Sequence, residues 1–289
     1  KYYNALLILN SGYYRPMSQI FNLCLATDTL AADAEQLGVT IADLQGIGVE
    51  VVATLVNRAV IAQPTEWQLQ LDYCITLPLK SLAAQLYWPT WQAEQVGFAD
   101  YLWEQTCLEC FLAGELINST VTIDEDNIQT NPYMEINASP DGRYALYQFA
   151  DYRKPATLPP TPLLQGNGQT RASIDWTATP FSVSNAADNA ALQSGSIPTP
   201  SFNDPLAAGA KTYHFERSFY LSLNQLSQVQ TTNDEIGIEY LHPCVILSFD
   251  TKLGKTALYF APNHAAPPDF HDMQYWPVFD KQAAMVQSS

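Results

Sequence analysis

The sequence predicts an all-β sandwich, and three observations support that class. Short segments in which apolar and polar residues alternate recur along the chain, as they do in half-buried strands. Turn signals such as SPDG at 139–142 separate these segments, and long helical patterns are few. Hydrophobic residues make up 47% of the 289-residue chain and charged residues only 15%, a composition typical of a folded protein rather than a disordered one.

The first 65 residues are predicted to form an N-terminal extension that packs on the core. A candidate strand at 4–9 opens it, and short helical patterns follow in TDTLAADAEQLGVTIADLQGIG. Thr29 or Thr40 is positioned to cap a helical turn there, because a threonine hydroxyl accepts a bond from a free backbone N–H group. The strand pattern VEVVATLV ends this part of the chain.

Further strand patterns follow with one long interruption. In WQLQLDYCITLPL, apolar residues alternate with polar ones, which predicts a sheet with one buried and one solvent-exposed face. The later patterns are LWEQTCLECFLAG, YMEINAS, YALYQFADY, YHFERSFYLSL, IGIEYLHPCVILSFD and TALYFAP. Residues 155–210 are rich in Pro, Gly, Ser and Ala and have no sustained period, so they are predicted to form a long insertion and a candidate lid.

Charge and hydropathy exclude several classes of partner. The chain carries 13 Lys and Arg against 29 Asp and Glu, a net charge of −16, which repels phosphate backbones and anionic lipid. We therefore expect neither nucleic acid nor a membrane as a partner. No window approaches the roughly 18 consecutive apolar residues of a membrane helix, and the N-terminal sequence lacks the pattern of a signal peptide.

The cysteines point to the compartment. There are five of them, an odd number, scattered through strand-like segments without the density of a disulfide scaffold. Reduced thiols in a cytoplasmic protein are the simpler interpretation. A periplasmic or secreted location stays open, because a signal peptide could be missing from this chain.

Two strand patterns place polar and aromatic residues on a shared face. Alternation puts one set of side chains together, namely Trp103, Gln105, Cys107, Glu109 and Phe111 from WEQTCLECF and Tyr133, Glu135 and Asn137 from YMEIN. Carboxylate and amide groups fixed on a sheet suit a hydroxyl-rich ligand, since each hydroxyl both donates and accepts. Aromatic side chains can cover the apolar C–H faces of a sugar ring.

The candidate ligand-binding residues follow from this face and its surroundings. Tryptophans on a predicted loop, YWPTW, add a platform, and an arginine follows at the end of the next strand pattern. The full set is Trp88, Trp91, Trp103, Gln105, Glu109, Tyr133, Glu135, Asn137 and Arg153. A structural alternative stays open, in which Glu135 pairs with Arg153 in a charge network, because buried charges are normally paired.

Three segments carry a family resemblance: GFADYLWEQTCLECFLAG, YMEINASPDGRYALYQFADYR and LYFAPNHAAPPDFHD. In this order they resemble the DOMON-like bacterial proteins related to the family-9 carbohydrate-binding modules. The matching positions are Leu102, Trp103, Thr106, Cys107, Glu109, Phe111, Tyr133, Glu135, Asn137, Ser139, Pro140, Gly142, Tyr147, Phe149, Tyr152, Arg153, His264, Pro268, Asp269, Phe270 and His271.

The resemblance covers roughly residues 66–280. It implies an antiparallel β-sandwich of jelly-roll type over that range, interrupted by the insertion and followed by a C-terminal tail at 281–289. Related modules bind sugars or, in other branches, haem. The longer N-terminal extension and the insertion depart from the family pattern, and either could cover or reshape a site.

The leading functional prediction is a non-catalytic module for carbohydrate or a sugar-containing small molecule, with no cofactor. Catalysis is not expected, although Glu109 and Glu135 are the pair of carboxylates that glycoside hydrolysis would use. Haem binding is an alternative, with candidate ligands Met134, Met273, His264 and His271. A divalent metal at His264, Asp269 and His271 is another. A structural or protein-interaction domain with an unknown protein partner is the last.

Overall fold

The computed structural model describes residues 18–58, 66–118, 130–177, 212–226 and 237–285. Its strands are β1 (Gln19–Leu25), β2 (Gly48–Arg58), β3 (Glu66–Leu77), β4 (Gly97–Phe98), β5 (Cys107–Ala113), β6 (Tyr133–Ala138), β7 (Arg143–Phe149), β8 (Asp175–Trp176), β9 (Tyr213–Ser222), β10 (Tyr240–Thr251) and β11 (Gly254–Ala261). Its α-helices are α1 (Leu30–Leu37), α2 (Ile41–Gln45), α3 (Lys80–Gln85), α4 (Glu115–Asn118) and α5 (Lys281–Ala284). The all-β class is confirmed.

The strands form one curled sheet in the order β4-β7-β6-β5-β10-β11-β1-β2-β3-β9-β8. Neighbouring strands are antiparallel, except for the parallel pair of β4 with β7. We call the part from β4 to β11 the β5 half and the part from β1 to β8 the β2 half. Since β1 pairs with both β11 and β2, it joins the two halves.

The two halves face each other across one apolar core. Their inward side chains form a single buried cluster, which includes Val51, Leu55, Leu71, Ile75 and Phe219 from the β2 half and Leu108, Leu112, Ile136, Val245 and Phe260 from the β5 half. A hydrogen bond crosses this core, because the hydroxyl of Tyr73 in β3 donates to the backbone oxygen of Glu109 in β5 at 2.7 Å. The curl of the sheet therefore brings the two halves into direct contact.

Part of the predicted N-terminal extension is a central part of the sheet. β1 and β2 both lie inside the strand order, with β1 between β11 and β2. Between them, α2 begins at a capping box in which Thr40 and Asp43 each bond to the other's backbone N–H. Thr29 makes no such cap, and its hydroxyl donates instead to Asp33 at 2.7 Å. The candidate strand at 4–9 lies outside the described residues.

The predicted strand LWEQTCLECFLAG begins later than its pattern indicates. Residues Leu102–Glu104 form a 3₁₀ turn, closed by a bond from the backbone N–H of Gln105 to Leu102 at 3.2 Å. Strand alternation therefore starts at Cys107, and the side chain of Gln105 does not belong to the row that contains Glu109. In this segment, the residues that point to the face of the candidate site are therefore those of β5.

The insertion and the C-terminal tail each have a described part. Within the insertion, residues 155–177 are described and end in the two-residue strand β8, which pairs with β9 at one edge of the sheet; residues 178–211 lie outside the described residues. In the tail, α5 is followed by a bridge between Met285 and Leu55. In the described part of the chain, no helix has the length and apolar character to cross a membrane.

We expect Tyr73→Phe to lower the free energy of unfolding by about 1–2 kcal/mol, because the variant loses the buried bond between the halves but keeps the ring. The ring's stacking on Phe219, at 5.7 Å, should survive the change. Urea unfolding measures the difference, with an unchanged dependence on urea concentration. The matched control is Tyr101→Phe, at a residue 41% exposed, which should change stability by less than about 0.5 kcal/mol. Equal stability of Tyr73→Phe and the wild type would contradict the role of this bond.

Candidate functional site

A cavity of about 650 Å³ lies on the face of the β5 half that points away from the core. Four carboxyl side chains lie among its lining residues: Glu109 and Glu135 from the sheet, and Asp28 and Asp269 from loops. Aromatic side chains make up much of the wall, namely Trp103, Phe111, Phe149, Tyr259 and Phe270. Loop segments at 26–29, 153–160 and 267–271 complete the lining, so the start of the insertion contributes to the cavity.

The register of β5 and β6 puts both carboxyl groups on this face. Glu109 lies opposite Asn137, and Phe111 lies opposite Glu135. The two glutamates are therefore diagonal neighbours on paired strands, a relation in which Cα atoms lie roughly 7–8 Å apart and long side chains can meet. The alternate residues of the same strands, among them Leu108 and Ile136, point into the core.

The carboxyl group of Glu109 is buried without full satisfaction. Glu109 is 2% exposed, and its Oε1 atom has no hydrogen-bond partner in the described part of the chain. Burial raises the pKa of Glu109 well above its usual range, and the nearby charge of Glu135 raises it further. Buried polar groups are normally satisfied within a protein. Oε1 of Glu109 therefore has unused acceptor capacity next to the cavity that this residue lines.

Glu135 is held by one strong bond. The amide of Asn137 donates to its Oε1 at 2.7 Å, while its Oε2 lies 3.9 Å from Nε2 of His271, beyond hydrogen-bond distance. Burial raises the pKa of Glu135 to about 7, although the Asn137 bond and the charge of Arg153 act in the opposite direction. Near neutral pH the Glu135 carboxyl is therefore divided between its protonated and ionised forms.

His271 gives these carboxyls no countercharge. Burial lowers the pKa of His271 to about 3, and the charge of Arg153 adds to this effect while Asp269 opposes it. The imidazole is consequently neutral at neutral pH. Its Nδ1 bonds to the hydroxyl of Tyr133 at 2.8 Å, which fixes the orientation of the ring.

The rim of the cavity is closed by an ion pair between two loops. The guanidinium of Arg153 donates to Asp269 at 2.7 Å, and the hydroxyl of Tyr152 donates to the other carboxylate oxygen. Burial alone would raise the pKa of Asp269, but these two bonds outweigh it and the pKa is lowered. Arg153 lies in a turn after β7 with φ of 50°, so it does not follow strand alternation. The alternative pairing of Arg153 with Glu135 is thus replaced by pairing with Asp269.

The aromatic wall is fixed by its own contacts. Tyr133 stacks on Phe149 with ring centroids 4.7 Å apart, and Trp103 meets Tyr147 edge to face at 5.9 Å. The hydroxyl of Tyr147 donates to Asp100 at 2.8 Å. Packed rings that are also anchored by hydrogen bonds have few alternative rotamers. The cavity is therefore largely pre-formed.

The structure brings six of the nine predicted ligand-binding residues together. Trp103, Glu109, Glu135 and Arg153 line the cavity. Asn137 and Tyr133 are buried directly behind the lining, where they hold Glu135 and His271.

The other three predicted residues lie elsewhere. Trp88 packs against Phe215 of β9 at 5.3 Å, and Trp91 packs against Trp176 of β8 at 5.2 Å. Gln105 accepts a bond from Arg143 at 3.4 Å. None of the three lines the cavity. The tryptophans pack against residues of β8 and β9, strands more than eighty residues away along the chain. The local sequence YWPTW does not indicate these contacts.

Sequence reasoning missed several wall residues. Phe149 and Tyr259 belong to β7 and β11, and the predicted ligand-binding residues include none from these two strands. Alternation within those patterns was the signal available. Phe270 and the prolines at 267 and 268 lie in a loop without periodicity; Pro268 and Phe270 match positions of the family resemblance but are not among the predicted ligand-binding residues.

The predicted metal and haem ligands are engaged separately. Within the described ranges, no group of three His, Cys, Asp or Glu residues is arranged to hold a metal ion. Nε2 of His264 donates to the backbone oxygen of Cys24 at 2.8 Å, while Asp269 bonds to Arg153 and His271 to Tyr133. Met134 is fully buried in the core between the two halves, on the opposite side of β6 from the cavity.

Comparisons with known proteins add little. No protein-family model matches the chain, and no curated protein matches it. A crystal structure from Bacteroides uniformis ATCC 8492, described as a proposed carbohydrate-binding protein, shares 10% identity and a TM-score of 0.41, over 90% of this chain and 85% of that one. A similarity at this level carries no argument about fold or ligand. The DOMON-like resemblance therefore stays a prediction.

Glu135 should make stability depend on pH. Its pKa is raised from 4.5 to about 7 in the folded protein, so between these values the folded state keeps a proton that the unfolded chain has released. The resulting stability is fully present below pH 4.5 and is lost as the pH rises to about 7. Relative to Glu135→Gln, we expect the wild type to lose up to roughly 3 kcal/mol across this window.

Urea unfolding at several pH values across the window measures this difference. The control is Glu104→Gln, at an exposed glutamate outside the cavity lining. The free energy of unfolding of this variant should depend on pH as it does in the wild type. Parallel profiles for the wild type and Glu135→Gln would show that the carboxyl is not buried as described.

Proposed function

We propose that the chain is a non-catalytic module that binds a carbohydrate or a sugar-like small molecule in this cavity. The observation that carries the proposal is the pair of buried carboxyl groups, Glu109 and Glu135, in a cavity with aromatic walls. The proposal includes the finer fold prediction, a jelly-roll sandwich of the DOMON-like type, whose related modules bind sugars.

The dimensions and chemistry of the cavity support a small polar ligand. Its volume of about 650 Å³ falls within the range of about 300–1,000 Å³ of small-molecule sites. Carboxyl groups near their pKa can both donate to and accept from hydroxyls, and Glu109 has a free oxygen for this purpose. The aromatic side chains offer apolar surface to the C–H groups of a sugar ring.

The hydrogen-bond donors around the two carboxyls favour binding over hydrolysis. A glycosidase needs one protonated carboxylic acid and one ionised carboxylate. Glu135 accepts one N–H donor, from Asn137 at 2.7 Å, and Oε1 of Glu109 accepts none in the described part of the chain. Among the described residues, neither side chain therefore receives the set of N–H donors that would keep a nucleophile or base ionised.

A purely structural role is less well supported. A structural network of buried charges is normally satisfied internally. Asp141 with Arg143 is such a pair, joined at 2.8 Å. Glu109, in contrast, leaves Oε1 without a partner in the described residues, and this oxygen belongs to a residue of the cavity lining.

A thermal-shift screen followed by calorimetric titration tests the proposal. The compounds are monosaccharides, amino sugars, short oligosaccharides and sugar phosphates. A ligand at about 100 times its dissociation constant adds roughly 2.7 kcal/mol to stability, so we expect a midpoint rise of a few degrees. Sugar phosphates should give no shift, because the acidic cavity repels anions.

Variants locate the binding. Trp103→Ala should abolish the shift, since it removes a wall of the cavity. Trp91→Ala, an equal truncation of a tryptophan outside the cavity, should lower the midpoint of the protein alone but keep the ligand-induced rise. Binding that survives Trp103→Ala, or no binding of any sugar at high concentration, would overturn the proposal.

A further inference from the structure

We propose that the ligand carries a protonated amino group, which sits between Glu109 and Glu135 in the cavity; an amino sugar is the class that fits. This inference rests on the proposed function and adds the charge of the ligand to it. It follows from the lack of a cation bonded to either carboxyl in the described residues, from the unpartnered oxygen of Glu109 and from the aromatic wall.

Neither carboxyl is bonded to a permanent cation in the described structure. Buried acidic groups are normally paired with a positive charge or a metal. Among the described residues that line the cavity, Arg153 carries the only permanent positive charge, and its guanidinium is already bonded to Asp269 at 2.7 Å. A cationic ligand would supply the missing charge.

The free oxygens match an ammonium group. Oε1 of Glu109 has no hydrogen-bond partner in the described chain, and Oε2 of Glu135 lies 3.9 Å from Nε2 of His271, too far for a hydrogen bond. An ammonium group has three N–H donors and no acceptor. One such group can therefore donate to both carboxylates, which a single hydroxyl, with one donor, cannot do.

The rest of the cavity favours an organic cation over a metal ion. Aromatic faces attract ammonium groups through the ring quadrupole, and the lining includes Trp103 and Tyr259. No cluster of three metal-binding side chains occurs in the ranges that the structure describes. The net charge of −16 also raises the local concentration of cations around the protein.

A matched set of sugars tests the inference by isothermal titration calorimetry. Glucosamine carries the amino group, glucose replaces it with a hydroxyl, and N-acetylglucosamine keeps the nitrogen but loses the charge. At a pH where the amine is protonated, we expect glucosamine to bind at least tenfold more tightly than either neutral sugar. Galactosamine, with one inverted hydroxyl, tests whether the preference for the amine extends beyond one sugar.

Isosteric variants tie the preference to the carboxyls. Glu109→Gln and Glu135→Gln keep the shape of each side chain but remove its charge, so each should reduce the affinity for glucosamine at least tenfold and reduce the affinity for glucose by a clearly smaller factor. Glu216→Gln is the control, because Glu216 is a partly buried glutamate on β9 outside the cavity. Thermal midpoints without ligand show whether each variant is folded.

The outcomes separate this inference from the proposed function. Equal affinity for glucose and glucosamine would overturn the inference and leave carbohydrate binding in place. Binding of small amines such as choline or ethanolamine, without binding of any sugar, would support the amino-group site and overturn the carbohydrate assignment. Failure of sugars and amines alike would overturn both.

Discussion

The alternation of side chains along β5 and β6 is the constraint on which the site depends. Leu108 and Ile136 point into the core, so Glu109 and Glu135 must point out into the cavity. A shift of one residue along both strands would turn both carboxyls into the core and turn Leu108 and Ile136 out of it. Tyr73 adds a second fixed point, because it bonds to the backbone of Glu109 from the opposite half of the sheet. Glu109 thus belongs to both: its backbone accepts a bond that joins the two halves of the sheet, and its side chain lines the cavity.

This alternation also explains what the sequence could and could not predict. The shared face of Glu109 and Glu135 is local information, since each strand pattern alone determines which residues point outward. The pairing of Arg153 with Asp269 is not local, because 116 positions separate them and both lie in loops. The same reasoning applies to Trp88, which packs against β9, and to β1, whose interior position depends on pairing with β11 at the other end of the chain.

The cavity combines a well-satisfied frame with an unsatisfied pair. Asn137, Tyr133 and His271 form hydrogen bonds that hold the frame, whereas Oε1 of Glu109 has no partner in the described residues and Glu135 has no bonded cation there. Burial of carboxyl groups with strongly raised pKa values costs stability, and such groups concentrate at functional sites. This loss of stability is confined to one face of an otherwise well-packed sheet. Selection for ligand binding explains it better than a requirement of the fold.

The protonation state of Glu109 and Glu135 determines which ligands the cavity recognises. A proton and a cationic ligand compete for the same oxygens, because each neutralises the negative charge that burial penalises. When both groups are protonated they can donate to hydroxyls but attract no cation. When they are ionised, a cation that binds them relieves the cost of their burial as well as forming hydrogen bonds. Selection in this cavity therefore depends on the charge of the ligand at least as much as on its shape, and the aromatic wall serves both kinds of ligand without distinguishing between them.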